Sequence, residues 1–366
     1  MISVIGAGVS GTSAARELSK HFDVNIFEKN RSPYKTCSSI LTYKIEEVEK
    51  IPKKLIRTRI KTAKIHAPNG KILEINFKKP DIVFNRQELN QYFADKAVDA
   101  GANLFMEHEF VHTNYKSVAI KDKKNKKIKD FKVEYLIGAD GANSNVAKQV
   151  DLFGKRRFFI GIKAELKSKN DNTINFFPYI KDFAWQSPID EETIEIGVCA
   201  ERKAKESFDL IIKKFSGRII KKEAAIIPIW NPKQLLQRNN VLLVGDAGTI
   251  NKATTGGGII YGIISGRIAA KEIINTKKTN RKLKNKLNYE NELRKKLGKN
   301  LWVHLKIRNI LNKFSEKDWN DLINKFQNPK LKQILATESR DYPLKFTGKM
   351  LISDISLIKY IAKMIL

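Results

Sequence analysis

The first thirty residues leave the chain little freedom. MISVIGAGVSGTSAARELSKHFDVNIFEKN contains an apolar run over residues 2–5, a glycine turn, an Ala- and Leu-bearing stretch with helical spacing from about Gly11, and a second apolar run over residues 24–27 closed by Glu28. That order predicts a β-α-β unit. Gly6, Gly8 and Gly11 follow the pattern G-x-G-x-x-G. Gly6 permits the tight turn, Gly8 lets backbone approach a pyrophosphate, and Gly11 lets the helix lie close on the sheet. The helix start supplies N–H groups and a partial positive charge for the anion. Glu28 falls about 20 residues beyond the turn, where a carboxylate accepts hydrogen bonds from a ribose. The unit predicts a dinucleotide site, open to either NAD or FAD.

Two later segments repeat the strand-to-glycine pattern. VEYLIGADGANSNV runs an apolar strand into a glycine turn, and VLLVGDAGTINKATTGGGIIYGIISGRIAA does so again from residue 241. Asp246 follows four apolar residues and so belongs at the carboxyl edge of a sheet, where ligands bind in open α/β folds. Between these segments, NRQELNQYFADKAVDAGAN has helical spacing through Leu89, Phe93, Ala97 and Ala100, with Gly101 as a stop. KILEINF alternates like a strand, residues 158–199 read largely as β, and helical periodicity dominates after about residue 276. A chain of 366 residues is too long for one compact core. The expected architecture is α/β, with a Rossmann-like dinucleotide domain, an α+β substrate domain built on a mostly antiparallel sheet, and a C-terminal helical region. The expected boundaries are 1–49, 84–150 and 238–275 for the first, 50–83 and 151–237 for the second, and 276–366 for the third.

Charge and cysteine content narrow the classes. A formal charge of +30 points to acidic partners. The basic runs KDKKNKKIK and KKTNRKLKNK contain no aromatic residues, so a nucleic-acid surface is not expected. The two cysteines, Cys37 and Cys199, form no C-x-x-C pair, and neither a disulfide framework nor a metal site is expected. The chain enters a strand at once, so no signal peptide is expected, and no apolar stretch reaches the roughly 20 residues of a spanning helix. The expectation is a cytoplasmic protein, free or peripheral at a membrane.

Together, GAGVSG, GADGANS and GDAG with TGGGI resemble the three signatures of glutathione-reductase-type flavoproteins of the p-hydroxybenzoate hydroxylase class. Within that class the chain is similar to the geranylgeranyl reductase family, which saturates isoprenoid double bonds. FNRQELNQYFADKAVDAGA looks like the family's Arg-bearing helix, and FAWQSPIDEETIEIGV looks like its Y-x-W-x-F-P element. The resemblance implies FAD as cofactor. It implies that Asp246 meets the ribityl and phosphate region, and that Gly256, Gly257, Gly258 and Ile259 meet the flavin ring. Helix N–H groups behind those glycines would stabilise negative charge on the reduced ring. It further implies that Ser10 and Glu28 hold the AMP half, that Cys37 and Ser38 lie near the flavin, that Arg86 reaches the cofactor, and that Val111 offers backbone contacts to adenine. Lys252 and Ala253 depart from the family's usual Asn-Pro, and Phe183 and Ser187 stand where Tyr and Phe are usual, while Trp185 and Pro188 are kept.

The implied substrate is a prenyl-chain lipid or an isoprenoid diphosphate. Such an alkene has no carbonyl to polarise it, so hydride delivery must be matched by a proton on the other carbon, and aromatic faces can stabilise the charge that develops. NFFPYIKDFAWQSP supplies aromatic residues that are either sheet core or the wall of an apolar tunnel. Phe183 and Trp185 are the candidate tunnel residues. Cys37 is one candidate proton donor, and by residue type it is equally a small buried hydrophobe. The electron donor is a ferredoxin or NAD(P)H. A flavin monooxygenase or halogenase acting on an apolar substrate is the alternative reading, because the FAD signatures are shared. The tail KMLISDISLIKYIAKMIL places Lys349, Ser353, Ser356, Lys359 and Lys363 on one helical stripe, which either lies on an anionic membrane or caps its own domain.

Overall fold

The computed structural model describes residues 1–278 and 287–363. Most of KKTNRKLKNK and the last three residues of the tail lie outside the described residues. The helices of the first three quarters of the chain are α1 (Val9–Leu18), α2 (Ile45–Val48), α3 (Arg86–Asp99), α4 (Asn145–Gln149), α5 (Ala204–Ile212) and α6 (Ile259–Lys278). Those that follow are α7 (Tyr289–Leu293), α8 (Lys299–Leu311), α9 (Glu316–Lys325), α10 (Pro329–Thr337), α11 (Pro343–Ser353) and α12 (Ile358–Ala362).

The expected β-α-β unit sits in a six-stranded sheet. Its spatial order is Gln237–Arg238, Val241–Leu243, Tyr135–Gly138, Ile2–Ile5, Val24–Glu28 and Asn103–Met106. The strands run parallel except for the short edge pair formed by Gln237–Arg238. Strands covered on both faces read as near-continuous apolar runs: Val241–Leu243 is wholly apolar, Ile2–Ile5 is interrupted only by Ser3, and both are buried throughout. A three-stranded antiparallel sheet, His108–Thr113, Ser117–Asp122 and Ile128–Lys132, packs Phe110, Val118 and Ile120 against Phe27 and Leu136.

Glycine is required where the strands end. Gly6 has φ +104°, and a Cβ there would collide with the carbonyl of Ala139. Helices α1 and α6 meet backbone to backbone: a side chain on Gly266 would strike the carbonyl of Ser10, and one on Gly245 would strike the Ser10 hydroxyl. This contact sets the N-terminal glycine turn beside the turn that carries Asp246.

The second sheet has eight strands in the order Arg218–Pro228, Phe158–Lys167, Thr193–Ala200, Phe183–Asp190, Thr173–Phe177, Ile56–His66, Ile72–Phe84 and Ile40–Leu41. Its pairs are antiparallel except for Thr173–Phe177 beside Ile56–His66. One face packs on α5 through Phe177, Ile196, Val198, Phe208 and Ile211. The other face turns toward the cavity described below. Successive strand residues point to opposite faces, so Phe177 enters the α5 core, stacked on His66, while its neighbour Phe176 lines the cavity. The aromatic segment is therefore both core and wall.

The tail is not one helix. Helix α11 ends at Ser353, and Asp354 adopts an extended conformation with φ −149°. The Asp354 carboxylate accepts the Ser356 N–H at 2.9 Å, which starts a 3₁₀ turn over Ile355–Leu357 that leads into α12. The stripe expected from a continuous helix is broken there, because a side-chain acceptor competes with the helical carbonyls. Met350, Leu357 and Tyr360 are buried with Leu331, so the tail does cap its own helical region.

Gly266→Ala is expected to destabilise the protein by at least about 1–3 kcal/mol, because the added methyl displaces backbone. Gly348 in α11 has open space around its Cβ position, and Gly348→Ala is expected to be neutral or stabilising by about 0.5–1 kcal/mol. Urea denaturation of the two variants checks both.

Candidate active site

One continuous cavity of about 600 Å³ begins at the two glycine turns, passes across the inner face of the eight-stranded sheet, and ends among the C-terminal helices. At its inner end Gly8 forms the start of α1, with no side chain capping the helix and open space where a Cβ would point. Glu28 lies behind this turn and fixes it. Its Oε2 accepts the Ala7 N–H at 3.0 Å, and its Oε1 accepts the Asn30 backbone and side-chain N–H groups at 3.0 and 2.9 Å.

Asp246 follows the strand Val241–Leu243, as its position after an apolar run predicts. Its Oδ1 would stand 3.0 Å from a Cβ on Gly258, so glycine there lets the carboxylate and the loop before α6 close on one another. Lys35 ion-pairs with the same carboxylate. Arg86 opens α3 behind the Asn85 cap, is buried, and leaves Nε and one terminal nitrogen without a partner. Burial lowers its pKa, opposed by Cys37, Asp246 and Tyr34 nearby. Unpartnered guanidinium donors are costly to bury. On a cavity wall, beside a bare helix start and an acid, they fit a ligand rich in acceptor oxygens, and a phosphate-linked dinucleotide is one.

A polar layer closes the cavity on the side of the C-terminal helices. Lys252, in the loop before the glycine run, ion-pairs with buried Asp341, which also accepts from Thr42 and Ser339. Burial alone would raise the Asp341 pKa, but Lys252, the Thr42 hydrogen bond and Arg340 hold it below the usual carboxylate range. Arg340 pairs in turn with Asp81, whose pKa burial raises despite that partner. His304 faces the same layer. Its Nδ1 lies 2.8 Å from the Thr254 hydroxyl and its Nε2 has no partner. Burial, with Lys252 nearby, pushes its pKa down to about 3, so the ring is neutral at physiological pH. Arg308 bonds the Ala253 and Asp182 carbonyls at 3.1 and 2.8 Å and stacks on Phe159 and Phe183.

Past this layer the walls turn apolar. Phe183 and Trp185 are neighbours with ring centroids 5.8 Å apart, and both line the cavity. Trp185 donates through Nε1 to Glu195 at 3.1 Å, and Glu195 is paired with Lys163 at 2.8 Å, all three being buried. The indole lies over Gly197 so closely that any Cβ there would overlap it. Cys199, beside Trp185, has its thiol pushed up to about 12, chiefly by burial, and serves as packing. Farther out the lining passes to Leu311, Phe314, Trp319, Phe346 and Met350, and reaches Ile361.

The structure thus brings Gly8, Ser10, Cys37, Ser38, Arg86, Phe183, Trp185, Asp246, Gly256, Gly257, Gly258 and Ile259 to one cavity. Gly6, Gly11 and Glu28 shape the turn from behind. Val111 does not join them: it is exposed on the strand His108–Thr113, outside the cavity. Lys35, Thr42, His304, Arg308, Arg340 and Asp341 were not indicated by the sequence. The one signal for any of them is Lys252, a cation beside a glycine run that requires a buried partner. Among the described residues, no group of three His, Cys, Asp or Glu side chains could hold a metal ion.

A Rossmann-type turn, a second glycine turn carrying an acid, and a cavity joining them to an antiparallel sheet define an FAD-dependent flavoprotein. The chain belongs to the FAD binding domain family, which matches residues 1–299. It is 28% identical over 374 residues to digeranylgeranylglycerophospholipid reductase 3 of Methanosphaera stadtmanae, covering 92% of this chain and 93% of that one. It is 25% identical over 349 residues to the chloroplastic geranylgeranyl diphosphate reductase of Nicotiana tabacum, covering 85% and 74%. Among solved structures, a geranylgeranyl bacteriochlorophyll reductase-like protein from Thermoplasma acidophilum superposes with a TM-score of 0.87 at 19% identity over 99% of this chain and 98% of that one. The flavin-dependent halogenase CmlS superposes with a TM-score of 0.71 at 13% identity over 98% and 78%. Both share the fold.

Arg86→Met is expected to weaken FAD binding by about 10- to 100-fold, the loss of charge-assisted hydrogen bonds at about 1.5–3 kcal/mol. Fluorescence titration of the apoprotein with FAD measures it. A second expectation follows from His304. Its folded pKa lies below its unfolded value, so the stability linked to it is complete above about pH 6.5 and falls as pH drops toward 3. His304→Gln should flatten that decline by up to about 1.4 kcal/mol per pH unit, read from urea denaturation at several pH values.

Proposed function

We propose that the protein is an FAD-dependent oxidoreductase that reduces C=C bonds in the prenyl chains of lipids or isoprenoid precursors. The observation that carries this reading is the cavity, which is continuous from the nucleotide cradle to an aromatic and aliphatic passage. The two relatives above are named as reductases of digeranylgeranylglycerophospholipid and of geranylgeranyl diphosphate, which are prenyl compounds.

The division of labour follows the chain. Residues 1–49, 84–150 and 238–275 hold the cofactor, 50–83 and 151–237 hold substrate, and 276–366 close the site. Within the first, Gly8 and Ser10 at the start of α1 receive the phosphates, Glu28 the ribose, and Arg86 the remaining acceptor oxygens. Asp246 accepts from the ribityl chain after exchanging its bond to Lys35. Bound and reduced, FAD supplies hydride equivalents.

The rest is done by this chain's own residues. Phe183 and Trp185 press an alkene toward the glycine run at 256–258 and offer π-faces to the positive charge that grows on its carbon, at about 0.5–2 kcal/mol per contact. Glu195 holds the indole in that orientation. The apolar lining from Leu311 to Met350 excludes water, which would otherwise capture such a charge. Cys37, on the wall near Arg86, stays a candidate to hold the proton on its Sγ.

Electrons come from an acidic ferredoxin or from NAD(P)H, and the charge of +30 favours the first. The halogenase-like fold keeps a second reading open, an FAD monooxygenase or halogenase of an apolar substrate. No helix among the described residues is long and apolar enough to cross a membrane. A prenyl-lipid substrate would have a cytoplasmic protein meet its lipids at a membrane surface.

The test is anaerobic incubation of the dithionite-reduced holoprotein with prenyl lipids and prenyl diphosphates. Mass spectrometry should record two added hydrogens per double bond, and Trp185→Ala should slow the reduction at least about tenfold. Oxygen uptake coupled to substrate turnover, without saturation of the chain, would favour the monooxygenase reading instead.

A further inference from the structure

A cation folds back onto the glycine run that precedes α6. Residues 252–257 form a closed loop, in which the Lys252 N–H donates to the Gly257 carbonyl at 3.2 Å and the Lys252 carbonyl accepts from the Gly256 and Thr255 N–H groups at 2.8 and 3.3 Å. The side chain turns the same way. A Cβ on Gly257 would stand 2.7 Å from Lys252 Cε and 3.1 Å from its Nζ, so glycine there leaves the ammonium end room to lie against the backbone of the run. Lys252, Gly256, Gly257 and Gly258 line one cavity, and the lysine side chain is 12% exposed. Lysine at this position, where the resemblance leads one to expect asparagine, thus brings a full charge to the wall assigned to the flavin ring.

Neighbouring groups hold that charge in place. Asp341 is buried, pairs with Lys252 and accepts from Thr42 and Ser339 as well. Arg308 on α8 bonds the carbonyls of Ala253 and Thr254, and Ala253 is wholly buried, so the loop is clamped. Lys252 belongs to the cavity lining and Asp341 does not, so the ion pair turns its positive pole to the cavity. The other titratable groups come from every element packed around the pair. His304 on α8 is neutral, with its pKa pushed down to about 3, and Tyr261 on α6 donates to the Asp341 carbonyl and has its pKa raised by burial. Arg340 is paired with Asp81 on the strand Ile72–Phe84, Lys35 is paired with Asp246, and Arg86 and Cys37 lie on the same cavity wall. The start of α6, a helix of 20 residues, adds a field of the same sign as Lys252.

We propose that Lys252 is an electrostatic residue of the flavin site: its ammonium, pinned at Gly257 by Asp341, stabilises negative charge on the pyrimidine end of the reduced ring, so that FAD takes up two electrons with one proton and is held as the anion. A fixed cation in a water-poor site acts there without reorganising. With a ferredoxin as donor, the two electrons arrive singly and the proton at N5 comes from solvent. With NAD(P)H, both electrons and that proton arrive together as hydride. In either case the second proton stays in solvent, because Lys252 opposes it at N1. This rests on the placement of the flavin ring at residues 256–258 in the reading above and is independent of the substrate.

The test is spectroelectrochemical titration of the FAD-loaded full-length protein over a series of pH values, with free FAD as the reference. For a two-electron couple a tenfold change in equilibrium constant is about 30 mV, so uptake of one proton moves the midpoint by about 30 mV per pH unit and uptake of two by about 60 mV. The break between the two slopes should lie at least about one pH unit lower for wild type than for free FAD, a tenfold weaker hold on the second proton. Lys252→Met should raise the break by at least about one unit and make reduction at neutral pH at least about tenfold less favourable, while Lys252→Arg keeps both near wild type. Because Lys252→Met strands the Asp341 carboxylate, Lys252→Met with Asp341→Asn is measured beside it and should titrate in the same direction. The proposal is overturned if the wild-type break coincides with that of free FAD or lies above it, or if either methionine variant binds FAD and titrates as wild type does. The titration needs no prenyl substrate. A protein that titrates as expected yet reduces no prenyl chain would end the reductase reading and leave the role of Lys252 standing, and prenyl reduction by a protein whose variants titrate as wild type would do the reverse.

Discussion

The backbone contact between α1 and α6 is the constraint on which the rest of the structure depends. These helices begin 250 residues apart in the chain, and each starts next to one of the glycine turns. Ser10 lies against Gly245 and Gly266, and the absence of side chains at those two glycines lets the helices close to backbone distance. Any larger residue would move the turn carrying Asp246 away from the turn carrying Gly8. The cradle would then be two half-sites. Packing of small residues, which looks structural, therefore determines whether the acid and the bare helix start can address one ligand.

The eight-stranded sheet extends this cradle into a passage. Strand alternation sends Phe176, Phe183 and Trp185 to one face and Phe177 to the other, so a single aromatic segment builds both a wall and the core that supports it. The wall is made rigid at Trp185, which rests on Gly197 and is held by Glu195 and Lys163. A buried ion pair of this kind adds little net stability, but removal of one partner strands the other charge in the interior. Its effect is on orientation: the indole has one hydrogen-bonded position available.

Local pattern reveals part of this arrangement and distance hides the rest. The first β-α-β unit, Glu28 at its end, Asp246 after its strand and the helix opened by the glycine run were all readable, because each depends on neighbours within a few residues. The mixed α/β architecture follows from the same runs. The pairs Lys35–Asp246 and Lys252–Asp341 join residues 211 and 89 apart, and nothing near either end announces the partner. The outer lining was invisible for a related reason. Helices α9 to α11 show ordinary amphipathic spacing, and spacing tells that a face is covered without telling whether protein or a cavity covers it. The break in the tail was a local event, yet helical periodicity masked it, since Asp354 acts through a side-chain acceptor that a hydropathy pattern does not register.

The outer passage is bounded by Phe314, Trp319, Phe346 and Met350, all beyond residue 299, where the match to the cofactor-binding family stops. The calibre of the outer passage is thus written in a different stretch of the gene product from the groups that face the phosphates. Exchanging one ring for a smaller side chain at those positions lengthens the accommodating bore and touches none of the groups that face the phosphates. A lineage carrying this architecture can retune which chain lengths it admits at no cost to its yellow cofactor.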